Sequence, residues 1–374
     1  MKVLILSCNT GEGHNSAARA VEECIQLHGQ EAEKMDVMML GGKRISKYVG
    51  GSYVWVVKHT PRFFNLLYRL GSKVTSSRHK SPVYYANALL AKRLEKYIKD
   101  NDYDMIVTTH LFPAETLSYL KQKKRLEQHV VAVQTDYTCI PFWEETDCDY
   151  YIIPHEDLLE EYVGRGIPKE KLLAYGIPVR QEFSKPRNST EARKRCKLPE
   201  DCHVFLIMSG SMGFGKIQLF VGKLRRSISK KEYIVVVCGT NKKLYRILKA
   251  EFGRHKNVKI LGYTNHIASY MDASDVLFTK PGGLTSTEAA VKGIPIIHTE
   301  PIPGCETKNR DFFEAKHMSV ASSDFGKQIR EGFRILHSTE LQETMRQAQS
   351  QTIPKYAAED IYQLLLELCV ESQG

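Results

Sequence analysis

A chain of 374 residues is long enough for two domains with their own cores, and 42% hydrophobic with 26% charged residues excludes a largely disordered protein. Nine cysteines without a single Cys-x-x-Cys pair point to reduced thiols rather than a disulfide framework or a zinc site, no apolar run approaches the roughly 18–20 residues of a membrane span, and the opening MKVLILSCNT is too short in apolar residues for a signal peptide. The net charge of +10 is concentrated, because residues 41–100 hold 13 Lys and Arg against two acids and no Asp or Glu occurs from Lys43 to Leu94.

In chain order, short apolar runs alternate with helical patterns, the signature of βαβ units and parallel sheets. The first half predicts strands at Val3–Ser7, Met35–Met39, Met105–Thr108, Val130–Gln134 and Tyr150–Ile153. Between the second and third of them runs the basic segment, 43–99, in which Tyr48, Tyr53, Trp55, Phe63, Phe64, Tyr68, Tyr84 and Tyr85 are interleaved with the cations. Such a segment reads as a surface for an anionic membrane or for nucleic acid. The second half predicts strands at Val204–Met208, Tyr233–Cys238, Val258–Leu261, Val276–Thr279 and Pro295–Thr299. Residues 179–200 are polar, with a single short helix, and read as a linker between domains at 1–178 and 201–353. Residues 354–371, opening on Pro354, read as a terminal amphipathic helix packed on one of the two domains.

Four glycine turns carry the chemistry. Gly11-Glu-Gly13-His14-Asn-Ser16 follows the first strand; the glycines let backbone approach a ligand, the helix start attracts anions, and His14 can accept a hydroxyl proton. The pattern is nearly a dinucleotide fingerprint, with Asp36 about where a ribose partner falls. The second turn, Ser209 to Lys216, satisfies the first seven positions of a P-loop, but Ile217 stands where a magnesium-binding hydroxyl is needed. A turn whose amides face a diphosphate needs neither. In the third, Lys280-Pro281-Gly282-Gly283-Leu284-Thr285-Ser286-Thr287-Glu288, three hydroxyls suit a phosphate and Glu288, on the first helical turn, suits a ribose, against the alternative of a capping box. The fourth, Pro303-Gly304-Cys305-Glu306-Thr307-Lys308-Asn309, projects Glu306 and Asn309 into the same mouth.

These turns, together with Gly262-Tyr263-Thr264-Asn265, occur in an order and spacing that resembles the monogalactosyldiacylglycerol synthase-like glycosyltransferases of family 28, which include the bacterial processive diacylglycerol glucosyltransferases. The resemblance implies an α/β fold of two Rossmann-like domains facing a cleft, the glycosyltransferase-B fold, with the last helix returning to the N-terminal domain. It implies an inverting hexosyltransferase working from a UDP-sugar onto diacylglycerol or a related lipid, with no metal or other cofactor required. It makes His14 the base or the group that orients it, names Asp136 with it as catalytic, puts Asp136 and Tyr137 near the acceptor, and counts Gly13, in the loop that carries His14, among the residues that bind the UDP-sugar. Ser211 and Gly213 would lie beside the diphosphate, Gly262, Tyr263 and Thr264 near the uracil, and Gly283, Thr285, Ser286 and Thr287 on the phosphates. Glu288 would take the ribose, and Glu306 and Asn309 the hexose.

Cys305 stands where many members have Gln, so glucose and galactose both remain open as the donor hexose, and the His that members commonly show a few residues after the Asp at 136, near the acceptor, is absent from Tyr137-Thr138-Cys139-Ile140-Pro141. The alternative within the same fold is transfer of N-acetylglucosamine from its UDP derivative to an undecaprenyl-type lipid. A lipid acceptor gives the 43–99 segment its expected role of docking the enzyme peripherally on the anionic cytoplasmic face of the cell membrane. No nucleic-acid recognition motif accompanies the charge.

Overall fold

The computed structural model describes residues 1–9, 11–42, 80–208 and 216–371. The basic segment therefore lies outside the described residues from 43 to 79, as do Ser211 and Gly213. The chain divides into two units, Met1–Gln181 with the C-terminal segment from Pro354, and Glu182–Ile353.

The first unit holds a six-stranded parallel sheet of β1 (Lys2–Ser7), β2 (Glu31–Asp36), β3 (Met105–Thr108), β4 (His129–Val133), β5 (Tyr150–Ile152) and β6 (Leu172–Leu173), in the order 2-1-3-4-5-6. In register, Val3 pairs with Ala32 on one side and Met105 on the other. The central strands are continuous apolar runs because helices cover both sheet faces, and Val3, Ile5, Val107, Val131 and Ile152 are fully buried. Two expectations are corrected here. The second strand is Glu31–Asp36, not Met35–Met39, since an edge strand tolerates the polar EAEKMD while the apolar residues after it turn into a 3₁₀ helix at Val37–Gly41. The two-residue edge strand β6 went unpredicted.

The second unit repeats the plan with β7 (His203–Met208), β8 (Glu232–Val237), β9 (Val258–Leu261), β10 (Val276–Thr279), β11 (Ile296–His298) and β12 (Ser319–Ala321), all parallel and ordered 12-11-10-7-8-9. Counted from β7, that is the Rossmann order 3-2-1-4-5-6 read from the other side. Its core is aromatic, with Phe205, Phe220 and Phe278 fully buried. Of the stretch read as a linker, residues 182–200 belong to this unit and carry two helices, Gln181–Ser184 and Ser189–Cys196. Arg187 and Arg193 tie the stretch to the Asp272–Asp275 turn through backbone carbonyls and the Asp275 carboxylate.

Helix α1 (Glu12–Leu27) links β1 to β2, and α2 (Leu111–Gln122) links β3 to β4. In the second unit, α3 (Ile217–Ser227) precedes β8, α4 (Gly283–Val291) follows β10 and α5 (Cys305–Ala315) follows β11. The last helix, α6 (Ala357–Glu371), returns to the first unit, where Ile361, Leu364, Leu365 and Leu368 join the core formed by β1, β3, β4 and α1. Its entry is fixed at Gly176, where φ is +96° and a Cβ would come within 3.0 Å of the Pro354 ring.

Glu115, on α2, is wholly buried; its Oε2 accepts from Asn87 Nδ2 at 2.5 Å, and burial pushes its carboxyl up to about 8. Between the ordinary value of 4.5 and about 8 the folded protein keeps a proton that the unfolded chain has lost, so this group makes stability fall as pH rises through that window. Glu115→Gln is therefore expected to raise the melting temperature at pH 8 and to change it little below pH 4.5. A melting difference independent of pH would contradict this assignment.

Candidate functional site

In open α/β sheets, ligands bind beyond the carboxyl ends of the strands where the strand order reverses. In the first unit that point lies between β1 and β3. Strand β1 ends at Ser7, whose hydroxyl donates to Asn15 Oδ1 at 2.9 Å, drawing the start of α1 over the strand end. His14 is the third residue of α1, in its first turn rather than in the preceding loop. Its Nδ1 lies 2.8 Å from the Thr109 carbonyl oxygen, just past β3, and 2.9 Å from the Thr135 hydroxyl, just past β4. The Thr109 hydroxyl in turn donates to the His14 carbonyl at 3.0 Å. Three strand ends thus fix one imidazole.

A carbonyl oxygen only accepts, so the bond to Thr109 places the proton on Nδ1 and leaves Nε2 as the basic nitrogen. Burial lowers the His14 pKa, while the neighbouring Asp136 carboxylate and the Thr109 carbonyl oppose that shift. The ring is consequently neutral at pH 7. Edge-on to it, with centroids 4.6 Å apart, is His110, whose Nδ1 accepts from the Phe112 amide at 3.1 Å, so its own proton is on Nε2. Burial, with a smaller contribution from His14, holds the His110 pKa well below its ordinary value. Asp136 is half-buried beside this pair, whereas Tyr137 is turned into the interior. Gly13 lies directly before His14 on the first turn of α1. Asp36 does end β2, but its carboxylate accepts from the Met38 amide at 3.0 Å and caps the 3₁₀ turn.

The corresponding point in the second unit lies between β7 and β10. Strand β10 runs into Lys280-Pro281-Gly282, closed by a 2.8 Å bond from the Gly282 amide to the Lys280 carbonyl, and α4 starts at Gly283. Helix α5 braces this loop from the side: Asn309 Nδ2 donates to the Pro281 carbonyl at 3.1 Å, and Glu306 forms an ion pair with Lys280. Glu306 Oε2 also accepts from the Ile302 amide at 2.8 Å. Gly304, at φ +116° and ψ −126°, makes the turn into α5 in a region closed to other residues. Glu306, Asn309 and the glycine loop are therefore one connected cluster.

The hydroxyls of α4 divide differently from the expectation that all three face a phosphate. Ser286 bonds to His298 Nε2 at 3.0 Å inside the core, and Thr287 donates to the Gly283 carbonyl at 2.8 Å. Both are fully buried, which leaves the half-exposed Thr285 as the outward hydroxyl. His298 is bonded on its other side to Ser319 at 3.0 Å, and burial lowers its pKa to about 3, so it is a neutral tie between α4, β11 and β12. Glu288 lies on the second turn, not the first, and is 7% exposed. The capping-box alternative does not occur, because Gly282 is the N-cap and no side chain caps the helix. Past β9, Gly262 has room in front of it, Tyr263 is exposed, and Thr264 Oγ1 accepts from the His266 amide at 3.1 Å.

Thr109, His110, Thr135 and His298 carry no motif of their own in the sequence, and Lys280, part of the third turn, has no role assigned there. A Thr-Thr-His run at the carboxyl end of a predicted strand was the available signal for the first two.

Residues 14–179 match the family described as monogalactosyldiacylglycerol (MGDG) synthase, and residues 204–304 match the glycosyltransferase family 28 C-terminal domain. The chain is 29% identical over 325 residues to a processive diacylglycerol beta-glucosyltransferase of Staphylococcus carnosus, covering 85% of this chain and 80% of that one. Among solved structures it resembles Acinetobacter baumannii MurG, with a TM-score of 0.61 at 14% identity over 98% of this chain and 99% of that one. It also resembles the UDP co-structure of S. aureus MnaA, with a TM-score of 0.63 at 12% identity over 97% and 95%. At these identities the two structures speak to the fold alone, the glycosyltransferase-B fold, to which each Rossmann-like unit conforms.

Proposed function

Since the chain belongs to the monogalactosyldiacylglycerol synthase-like glycosyltransferases of family 28, we propose that it transfers a hexose, glucose or galactose, from a UDP-sugar to diacylglycerol or a related lipid. The observation that carries this reading is the setting of His14, a neutral imidazole at the switch point of its sheet with Nδ1 engaged and Nε2 basic. In the reaction, Nε2 takes the proton of the acceptor hydroxyl as that oxygen attacks the anomeric carbon. The bond from that carbon to the diphosphate breaks on the opposite face, UDP leaves with the electron pair, and the configuration inverts. Asp136 favours the imidazolium that forms, while the Thr109 carbonyl and Thr135 hydroxyl hold the ring in place.

For the donor we assign the amides at the start of α4 and the Thr285 hydroxyl to the diphosphate, Glu288 to the ribose, and Glu306 and Asn309 to the hexose. The Lys280–Glu306 pair sets the orientation of the carboxylate. A helix N-terminus already offers aligned amides to an anion, so this arrangement needs no metal. With vesicles containing diacylglycerol, radiolabel from UDP-glucose or UDP-galactose should appear in the lipid phase. Label transferred only from UDP-N-acetylglucosamine to a polyprenyl acceptor would favour the alternative instead.

Docking on an anionic membrane is the other part of the proposal. Among the described residues no helix is long and apolar enough to cross a membrane. In the described part of the basic segment, Val83, Tyr85 and Leu89 are exposed, as are Lys92, Arg93 and Lys96 a turn or two later. Exposed apolar residues next to cations suit a headgroup region, where each Lys or Arg contributes about 1 kcal/mol. The protein should sediment with anionic vesicles and be released by salt. Reversing Lys58, Arg62, Arg69 and Lys73 to Glu should abolish sedimentation while sparing transfer to a short-chain soluble acceptor. Equal binding to neutral and anionic vesicles would contradict the docking role.

A further inference from the structure

Helix α1 carries a second group of reactive side chains at the end opposite His14. Cys24 and His28 follow one another by four residues and so share a helix face, and Glu359 meets them from the first turn of α6. Cys24 Sγ lies 3.4 Å from Glu359 Oε2, His28 Nε2 lies 3.1 Å from Glu359 Oε1, and the three potential ligand atoms all fall within 4.8 Å of one another. We propose that Cys24, His28 and Glu359 form a binding site for a divalent metal of borderline softness, zinc being the best match, with water as the fourth ligand.

Three observations carry this. The first is spacing: zinc binds sulfur at about 2.3 Å and nitrogen or oxygen at about 2.0–2.2 Å, so neighbouring corners of a tetrahedral site are about 3.3–3.6 Å apart; the distances from Glu359 to the thiol and to the imidazole are near that, and the whole set, within 4.8 Å, needs only side-chain rotation to close on an ion. The second is orientation. His28 Nδ1 is 2.9 Å from the Cys24 carbonyl, a bond that puts the proton on Nδ1 and turns Nε2 toward the carboxylate, and the ring is stacked on Tyr362 with centroids 4.1 Å apart. Metal-binding histidines are held in the same way by a carbonyl or carboxylate on the far nitrogen. The third is access: Cys24 is buried, while the side chains of His28 and Glu359 are 38% and 43% exposed, so an ion can enter and keep a water on the open side.

Thiolate with imidazole selects zinc, cobalt or copper over magnesium or calcium. Without metal, burial and the Glu359 carboxylate push the Cys24 thiol up to about 12, so binding must displace its proton to solvent, one per ion. The ion would clip α6 to α1 across 335 residues of sequence, and it lies about 15 Å along α1 from His14, away from the proposed chemistry.

Cobalt(II) added to the full chain, after chelator treatment and desalting, tests the site directly. One equivalent should bind and produce both the thiolate-to-cobalt charge-transfer band and the strong visible bands of four-coordinate cobalt. Cys24→Ser should lose the charge-transfer band, and His28→Gln and Glu359→Gln should each weaken zinc at least tenfold in competition with a chelating dye. Zinc should raise the melting temperature of the wild type and of none of these variants. Cobalt bound without a thiolate band in the wild-type chain would overturn the proposal even if a variant failed to fold. An equal zinc response in Cys24→Ser and wild type would do so as well.

Discussion

Replacing His14 with alanine is expected to lower kcat by about 10²–10⁴-fold, the usual contribution of a general base, and to leave UDP binding unchanged because the donor residues belong to the other unit. The pH dependence sharpens this expectation. Burial outweighs the influences that raise the His14 pKa, so the acid limb of kcat/KM should have its midpoint below the ordinary imidazole value of 6.5. Asp136→Asn removes the largest of the opposing influences. The limb should then move to still lower pH, with a smaller maximum rate because the imidazolium has lost its neighbouring carboxylate. An acid limb moving upward in Asp136→Asn, or near-normal turnover in His14→Ala, would remove His14 from the role of base.

The next largest effect is expected at Glu288. A carboxylate bonded to the two ribose hydroxyls makes charge-assisted bonds of about 1.5–3 kcal/mol each, so Glu288→Ala should weaken UDP at least tenfold in calorimetry. Magnesium should leave the UDP affinity of the wild type unchanged, since backbone amides and a helix N-terminus carry the diphosphate in this account. Glu288 is itself buried, on a helix tied down by Ser286 and His298, so the melting temperature of the variant separates a lost ribose contact from a packing defect. Unaltered UDP affinity would show that Glu288 serves the packing of α4 instead. A strong magnesium requirement would return attention to Lys216, at the end of the second glycine turn.

Most of the fold could be read from the chain because parallel strands are buried on both faces and therefore appear as continuous apolar runs, such as Val204–Met208 and Val276–Thr279. The misplacements fall at sheet edges. β2 reads EAEKMD, polar enough to be passed over in favour of the apolar residues beyond it, and β6 and β12 are two and three residues long. The fourth glycine turn is legible for a different reason: Gly304 needs a backbone conformation that other residues avoid, and that need is written in a single letter.

What sequence could not supply was the partner of each functional side chain. Thr109 and Thr135 are 95 and 121 residues from His14, and only the strand order brings them to one imidazole. The Ser286 hydroxyl looked as available as that of Thr285 until the buried His298 was placed beneath it. The same holds for Cys24, His28 and Glu359, which are a scattered thiol, imidazole and carboxylate until α6 returns to α1.

The most direct test of the account is the configuration of the new glycosidic bond. UDP-glucose and UDP-galactose carry an α-linked sugar, so attack assisted by His14 from the face opposite UDP must give a β-linked product. NMR of the glycolipid formed from either donor and diacylglycerol should show the large anomeric coupling of a β-hexoside, with the signal lost in step with turnover in His14→Ala. An α-linked product would contradict single displacement and, with it, the role assigned to His14.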